Sequence, residues 1–135
     1  MSLPKILSVD DSRTMRMMVK RAFRNFQCEL FEAADGAEGL AAALANKPDL
    51  IVLDYNMPVM DGVTMLRNMR ENAELKRTPV IMLTAEDSNE IISTVARLGV
   101  RDYIIKPFED ENLLSKVTRI INLERKPETD QPPVV

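Results

Sequence analysis

The sequence contains no histidine, and it has a single cysteine, Cys28. Without histidine, any acid–base or metal chemistry must rest on carboxylates, lysines and hydroxyls. One cysteine excludes an internal disulfide bond and suits a reducing compartment. The apolar runs fall far short of the ~20 residues that a membrane-spanning helix needs, and the amino-terminal run is too short for a signal peptide. We therefore expect a cytoplasmic protein with no membrane partner.

An excess of positive charge is also absent. The chain has 18 lysines and arginines against 21 aspartates and glutamates, so its net charge is −3 over 135 residues. Nucleic-acid binding relies on a basic surface that neutralises phosphates, and this balance argues against a nucleic-acid partner. The length suits one domain. We expect a monomeric domain over residues 1–125, followed by a disordered, proline-containing tail over residues 126–135.

Short apolar runs alternate with helical patterns along the chain. Residues 50–53 and 80–83 contain no polar side chain, which is typical of strands covered on both faces of a parallel sheet. The predicted strands are Lys5–Val9, Glu29–Ala33, Leu50–Asp54, 80–83 and 103–105. Five strand–helix pairs in succession predict a doubly wound, flavodoxin-like α/β fold, with a five-stranded parallel sheet in the order 2-1-3-4-5 and five helices.

Apolar residues at helical spacing predict the helices. The first helix carries Met15, Met18, Val19, Ala22, Phe23 and Phe26 on one face, and Arg13, Arg16, Lys20, Arg21 and Arg24 on the other. That basic face is interpreted as solvated, with docking to an acidic kinase domain as the alternative. The second helix has a predicted stripe of Ala37, Leu40, Ala41 and Leu44, after Asp35 as N-cap. Helices over 63–72 and 89–98 and one marked by Leu113, Leu114, Val117, Ile120 and Ile121 follow, with Asp87 or Ser88 capping the fourth and Gly99 ending it.

Polar side chains follow the strands at one edge of the predicted sheet. Ligands of a doubly wound sheet bind beyond the carboxyl ends of the strands, at the switch point between strands 1 and 3. Asp10 and Asp11 follow the first of these strands and Asp54 ends the other, while Thr84 and Lys106 follow strands 4 and 5. A cation would keep three neighbouring carboxylates ionised, and oxygen ligands suit Mg²⁺. With a lysine and a hydroxyl to hold phosphate, Asp54 could act as a nucleophile toward phosphorus.

Each of these residues also has a purely structural interpretation. Acids before a helix often serve as N-caps, an aspartate ending a strand can be a turn residue, and Asp61-Gly62 is a turn signal. Thr84 alone, or Lys106-Pro107 alone, would be an ordinary loop feature. The joint placement of five polar groups at strand ends favours a phosphoryl-transfer site.

These motifs resemble those of response-regulator receiver domains, over residues 4 to about 124. The matching stretches are Asp10-Asp11, the run DYNMPVMDG at 54–62, Thr84-Ala85 and Lys106-Pro107-Phe108. Within the family, the chain is most similar to stand-alone chemotaxis regulators of the CheY type. The supporting residues are Ser12-Arg13-Thr14-Met15-Arg16, Asn56, Glu86 and Tyr103.

The resemblance implies a role for each site residue. Asp54 would accept a phosphoryl group from a phosphohistidine on a CheA-like histidine kinase. Asp11, Asp54 and the backbone carbonyl of Asn56 would hold Mg²⁺, with Asp10 acting through water. Lys106 would bind the phosphoryl oxygens. Such a chain is a phosphoacceptor that catalyses only its own phosphorylation and dephosphorylation, not an enzyme acting on other substrates.

The resemblance also implies a conformational switch. Thr84 would move toward the phosphoryl group and let Tyr103 turn inward. Asn56 and Glu86 would tune the lifetime of the acyl phosphate, and the Lys106–Pro107 bond would be cis.

Target binding is expected on the receiver itself, because no output segment is recognised after it. The expected face is formed by helix 4, strand 5 and helix 5, and it carries Ile92, Tyr103, Ile105, Lys116 and Arg119. In CheY-type regulators the matching face docks a segment of the flagellar motor switch. Two residues depart from that pattern, namely Asn89, where a lysine is usual, and Tyr55, where a tryptophan is usual.

Three other functions stay open. A phosphate sink, or a regulator of a non-motor partner, would keep the receiver chemistry. An aspartate-nucleophile phosphatase of the haloacid dehalogenase kind needs a second aspartate two residues after the nucleophile, where this chain has Asn56. A flavodoxin-like cofactor site needs a hydroxyl- and glycine-rich loop after strand 1, where Asp10-Asp11 would repel a phosphate.

Overall fold

The structure is a computed structural model that describes residues 2–86 and 88–127. Strands and helices alternate strictly along the chain. The strands are β1 (Lys5–Val9), β2 (Glu29–Ala33), β3 (Leu50–Asp54), β4 (Val80–Thr84) and β5 (Asp102–Ile105). The helices are α1 (Arg13–Phe23), α2 (Gly36–Asn46), α3 (Gly62–Glu71), α4 (Asn89–Arg97) and α5 (Asp110–Val117).

The strands form one parallel sheet in the order β2-β1-β3-β4-β5, which confirms the predicted doubly wound topology. The bounds of the first three strands are those predicted. The last two are each one residue longer, because Thr84 still pairs with Ile105 and Asp102 with Ile81. Within the described residues, no helix is long and apolar enough to cross a bilayer.

Alternate residues of the central strands pack into two separate cores. Leu50 and Val52 of β3 face a core shared with α1 and α5. Ile51 and Leu53 face the other core, which includes residues of α2, α3 and α4. Every residue of β3 and of β4 is buried, as expected for strands with helices on both faces. The two cores hold the strand ends in a fixed register.

The buried stripe of α2 differs from the predicted one. Gly36, Gly39 and Ala43 are buried, whereas Leu44 is 40% exposed, and Leu40 is only partly buried. A Cβ on Gly36 would lie 2.5 Å from the carbonyl oxygen of Met60, so this helix face approaches its neighbours more closely than larger residues allow. The predicted buried face of α2 is therefore wrong, because small residues, rather than large apolar ones, make the closest contacts.

Serine side chains cap α1 and α4, and the end of α5 departs from the prediction. Ser12 caps α1 and Ser88 caps α4, each accepting a bond from a backbone N–H three residues later; the alternative cap Asp87 lies outside the described residues. Gly99 has φ of 77° and follows α4, as predicted. However, α5 ends at Val117, so Ile120 and Ile121 pack against the core from beyond the helix.

The segment after α5 is attached to the loop before β2. The backbone N–H of Gln27 donates to the Glu124 carbonyl at 2.7 Å, and that of Lys126 donates to the Asn25 carbonyl at 2.8 Å. The Arg125 guanidinium lies 5.1 Å from the centre of the Phe26 ring. Lys126 is therefore anchored, contrary to the predicted start of the tail at this residue. Residues 128–135 lie outside the described residues, and a disordered tail there stays a prediction.

Candidate functional site

The register of the sheet brings the predicted polar residues to one edge. Val9 pairs with Leu53, and Asp54 pairs with Leu83, so Asp10, just after β1, and Asp54, at the end of β3, lie at the same height on adjacent strands. Thr84 pairs with Ile105, and the backbone N–H of Lys106 donates to the Thr84 carbonyl at 2.8 Å. The carboxyl ends of β1, β3, β4 and β5 thus converge, as expected at the switch point of a doubly wound sheet.

Three carboxylates form the centre of this edge. Asp10 and Asp54 are 1% and 4% exposed, while Asp11 is open to solvent. One oxygen from each lies within 4.8 Å of the others. We call Asp10, Asp11 and Asp54 the acid triad. Three negative charges this close repel strongly unless a cation lies among them.

Lys106 supplies one such cation. Its Nζ donates to Asp54 Oδ1 at 2.6 Å and to Asp10 Oδ2 at 3.2 Å. It reaches the acids from the loop after β5, where the Lys106–Pro107 bond is cis, as the resemblance implied. One lysine against three carboxylates leaves the site with a net negative charge.

Burial and neighbouring charges displace the pKa values of this pair. Burial raises the pKa of Asp54; the hydrogen bond from Lys106 opposes it, but the charge of Asp10 adds to the rise, and the net direction is upward. Burial alone would lower the pKa of Lys106, but its hydrogen bond to Asp54 and the charge of Asp10 prevail and raise it. The lysine is thus protonated, whereas the ionised form of Asp54 remains destabilised. A further cation beside it would reduce this destabilisation.

Arg16 supports the triad in a way that the sequence did not reveal. Its Nη1 donates to the backbone carbonyl of Asp10 at 2.6 Å, and its Nε bonds Glu32 Oε1 on β2 at 3.2 Å. Sequence reasoning placed Arg16 among the solvated basic residues of α1. Nothing in the one-letter pattern separates it from Arg13, since only the packing of α1 beside β1 and β2 creates these contacts. Ser12 also adds support, because its N–H donates to Asp10 Oδ1 at 2.9 Å.

The loop after β3 is held close to the acceptor strand. The N–H of Gly62 donates to the Tyr55 carbonyl at 3.1 Å, and Asp61 caps α3 by accepting from the Thr64 N–H at 2.8 Å. A Cβ on Gly62 would collide with the backbone carbonyl of Asp54. Asp61-Gly62 was interpreted as a turn signal, and it is the start of α3. Glycine is required here by the close approach of two backbones.

Thr84 is held by its own loop rather than by the acid triad. Its hydroxyl donates to the Glu86 carbonyl at 3.1 Å and accepts from the Glu86 N–H at 3.0 Å, and its side chain is buried. Asn56 and Glu86 are both exposed, in the loops after β3 and β4. Among the described residues, no hydrogen bond joins the side chain of Asn56 or Glu86 to the acid triad.

The expected target-binding face is half-buried and polar at its edge. Ile92, Tyr103 and Ile105 are each partly buried, on α4 and β5. Tyr103 packs against the core shared with α2, α3 and α4. Lys116 of α5 pairs with Asp102 at 3.1 Å, and Arg119 is exposed just beyond the end of α5 rather than within it. The face thus brings four of the five residues onto three neighbouring elements.

Known proteins share this arrangement. The family profile described as the response regulator receiver domain matches residues 6–118. The chain belongs to the response regulator receiver family. Among curated relatives, chemotaxis protein CheY-3 of Vibrio cholerae is 43% identical over 117 residues, covering 86% of this chain and 90% of the relative. Chemotaxis protein CheY of Pseudomonas aeruginosa is 39% identical over 117 residues, covering 86% and 94%.

Solved structures of receivers have the same fold. CheY4 of Vibrio cholerae matches with a TM-score of 0.84 and 38% identity, over 89% of this chain and all (100%) of that one. The CheX-CheY-BeF3-Mg complex of Borrelia burgdorferi matches with a TM-score of 0.80 and 29% identity, over 87% and 88%. The receiver of this chain is therefore of the CheY type in fold and in sequence.

The acid triad has the chemistry of a Mg²⁺ site. Receiver domains generally bind Mg²⁺ in an acidic pocket, and here three carboxylate oxygens lie within 4.8 Å of one another. Mg²⁺ prefers oxygen ligands at about 2.0–2.1 Å and binds through few carboxylates plus waters, so oxygens at this spacing suit it. The donor set contains no nitrogen or sulfur ligand, which argues against zinc or copper.

Proposed function

We propose that this receiver is a phosphoacceptor that takes a phosphoryl group from a histidine kinase onto Asp54 in the presence of Mg²⁺. The observation that supports it most is the environment of Asp54. The Asp54 side chain is 6% exposed, it lies at the end of β3, and the Lys106 ammonium lies 2.6 Å from it. A carboxylate so placed lies beside a cation that can bind phosphoryl oxygens, and it belongs to the acid triad that could hold a metal.

Transfer requires little covalent chemistry from the protein. An Asp54 oxygen attacks phosphorus, the bond from phosphorus to the leaving nitrogen breaks, and its electron pair stays on the nitrogen. The Lys106 ammonium exchanges its bond to Asp54 for bonds to the incoming phosphoryl oxygens. Asp11, Asp54 and the backbone carbonyl of Asn56 would hold Mg²⁺, with Asp10 acting through water, and the ion would supply charge neutralisation for those oxygens.

Thr84 carries the proposed switch. In the structure its hydroxyl exchanges two hydrogen bonds with the backbone of Glu86. A phosphoryl group on Asp54 offers stronger, charged acceptors. Thr84 would then exchange its bonds with Glu86 for one to the phosphoryl group, and the vacated space would admit the Tyr103 ring. The population shifts only by the difference in free energy between these two sets of contacts.

The lifetime of the signal is assigned to Asn56 and Glu86. Both residues are exposed, in the loops that follow β3 and β4. Polar side chains there admit and orient the water that hydrolyses the acyl phosphate. The chain would thus end its own signal without acting on other substrates.

The output we propose is binding to the flagellar motor switch through the face that carries Ile92, Tyr103, Ile105, Lys116 and Arg119. The relatives named above are chemotaxis proteins, and this supports a chemotaxis role. Lys116 is already paired with Asp102, so an acidic target would compete for it. A phosphate sink or a regulator of another complex is the alternative, because Asn89 departs from the pattern on this face.

Calorimetry can separate these outputs, and transfer can be followed beforehand. Phosphoryl transfer from a purified, autophosphorylated CheA-like kinase would be followed by loss of label from the kinase, with Asp54→Ala as the inactive control. The N-terminal segment of the host's motor switch protein would then be titrated into the receiver, with and without Mg²⁺ and beryllofluoride. Tighter binding in the activated receiver, lost in Asp54→Ala, supports motor control. Rapid label transfer with no binding in either state favours the phosphate sink or a different partner, and absence of transfer contradicts the phosphoacceptor role.

A further inference from the structure

The edge of the sheet opposite the acid triad carries a basic cavity. It has a volume of about 450 Å³ and lies where β4 and β5 begin, between the ends of α3 and α4. Five of its nine lining residues are cations, and none is an acid: Arg70, Lys76, Arg77, Arg97 and Arg101. We call these nine residues the basic cavity. In a chain with a net charge of −3, five uncompensated cations around one cavity form a strong local field.

Internal pairing does not explain this charge. The acids closest in sequence to Lys76 and Arg101 are Glu74 and Asp102, and each pairs elsewhere, Glu74 with Lys47 and Asp102 with Lys116. Within residues 2–86 and 88–127, none of the five cations lies within 4.0 Å of a carboxylate oxygen. Four of them are exposed, so their charges are available to a ligand.

Arg70 has a structural role that fixes the floor of the cavity. Its Nε donates to the Leu98 carbonyl at 2.7 Å, and its Nη2 donates to the Gly99 carbonyl at 3.2 Å. Its Nη1 donates to the carbonyls of Lys76 and Thr78, both at 3.1 Å. One guanidinium thus holds the end of α4 and the loop before β4 in a fixed relation. The four exposed cations are carried on a rigid frame, so a ligand would bind to a preformed site.

We propose that the basic cavity binds a small soluble anion with two or more phosphate groups. The volume lies in the range of about 300–1,000 Å³ that is typical of small-ligand sites. Arginine presents a planar fork that bonds phosphate oxygens in pairs, and three of the four exposed cations are arginines. The Thr78 side chain, also in the lining, adds a hydroxyl donor.

An acidic protein segment is the competing ligand, and the surroundings favour it less. Protein interfaces are anchored by apolar side chains surrounded by a polar rim. The large exposed apolar residues of the described chain are Leu3, Met17, Leu44 and Val59, and none of them lines the cavity. Pro79 and Leu98, the apolar residues of the lining, are only partly exposed, whereas four of the cations are exposed, and this balance suits a compact anion.

This site is independent of the acid triad. It lies at the starts of β4 and β5, whereas Thr84 and Lys106 lie at their ends. Four residues at a rise of about 3.3 Å each separate the two edges. Anion binding at the basic cavity can therefore be tested separately from phosphorylation of Asp54.

Tripolyphosphate is a suitable probe, titrated calorimetrically into the full chain at near-physiological ionic strength in a buffer freed of divalent cations. Omitting Mg²⁺ keeps the probe from chelating the metal or reaching the acid triad through it. Two variants are compared, each lacking two exposed cations. Arg97→Gln with Arg101→Gln depletes the basic cavity, and Lys20→Gln with Arg21→Gln depletes the basic face of α1 by the same charge.

The expected result is saturable binding at one site, weakened roughly tenfold or more by the cavity variant and less than about twofold by the α1 variant. A second cavity variant, Lys76→Gln with Arg77→Gln, should reproduce the loss, and circular dichroism should show that each variant is folded. Equal weakening by the cavity and α1 variants, or binding that does not saturate, would overturn the proposal. So would a glutamate peptide of the same charge that binds as tightly as tripolyphosphate, since the cavity would then recognise acidic protein segments.

Discussion

Neutralising the proposed acceptor should stabilise the metal-free protein. In Asp54→Asn the side chain keeps its shape and an oxygen that can accept the bond from Lys106, but it loses its charge. The carboxylate that it replaces is buried, and its pKa is raised, so its ionised form is unfavourable in the folded state. We expect Asp54→Asn to increase the free energy of unfolding at pH 7 by about 1–3 kcal/mol without Mg²⁺.

The magnitude follows from opposing terms at the acid triad. At an effective dielectric constant of about 20, Asp10 and Asp54 oxygens within 4.8 Å repel by at least about 3.5 kcal/mol. The attraction between Lys106 and Asp54 at 2.6 Å contributes about 6 kcal/mol of stabilisation at the same dielectric constant. Removing a carboxylate from water costs several kcal/mol, about as much as the balance of these two. Asp11 adds a smaller repulsion because it is exposed to solvent and screened. Because the pKa of Asp54 is raised, the sum of these contributions destabilises its charged form in the folded state.

Urea denaturation followed by circular dichroism would measure this, since the chain has no tryptophan. An aspartate with a raised pKa in the folded state is penalised above that pKa, and the penalty disappears as the pH falls through it. The difference in the free energy of unfolding between Asp54→Asn and the parent should therefore be largest at neutral pH and disappear in acid. Mg²⁺ should also remove this difference, because it binds and stabilises the parent more than the variant.

A matched control is Glu29→Gln, which removes an exposed carboxylate from β2 and should change stability by less than about 0.5 kcal/mol. Destabilisation of Asp54→Asn by about 1 kcal/mol or more in the absence of Mg²⁺ would refute the reasoning. It would mean that the attraction of Lys106 outweighs burial and repulsion together.

Three further predictions concern residues outside the acid triad. Val59 has φ of 68°, which strains a β-branched residue, and it is 86% exposed, so Val59→Asn should relieve the strain without loss of packing. The melting temperature in a calorimetric scan should rise by about 2–6 °C, and a fall in melting temperature would contradict the assigned backbone strain. Gly62→Ala should destabilise the protein by about 2 kcal/mol or more in urea, because its Cβ meets the Asp54 carbonyl, whereas Gly99→Ala meets only Arg70 and should suffer mainly from its positive φ. Arg70→Ala should cost about 2–4 kcal/mol in the same assay, since four carbonyls lose their donor, and unchanged stability would show that water replaces it fully.

Much of the fold followed from local patterns that tertiary contacts did not override. The uninterrupted apolar runs of β3 and β4 could be buried only between two helical layers. The alternation of strands and helices then favoured the doubly wound parallel sheet. The site followed from the same reasoning, because parallel strands must end at the same edge. This placement predicts that Asp10, Asp54 and Lys106 lie together, and in the structure Lys106 pairs with Asp10 at 3.2 Å and with Asp54 at 2.6 Å.

Other features depended on contacts that a single sequence does not contain. The alanine- and glycine-rich helix α2 has apolar or small residues on most of its surface, so the pattern gave no clear buried face. The sequence predicts Arg16 to be a solvated cation and gives no sign of a role for Arg70. Arg16 instead bonds the Asp10 carbonyl and Glu32, and Arg70 bonds the Leu98 carbonyl 28 residues away. The left-handed backbone of Val59 was also missed, because valine gives no sign of it.

The central claim is that Asp54 accepts a phosphoryl group at the acid triad. The most direct test is intact-mass spectrometry of the chain after incubation with acetyl phosphate and Mg²⁺. We expect a gain of one phosphoryl mass in the parent, and none in Asp54→Ala or when Mg²⁺ is chelated. A gain of the same mass in Asp54→Ala, or no gain in the parent with Mg²⁺ present, would contradict it.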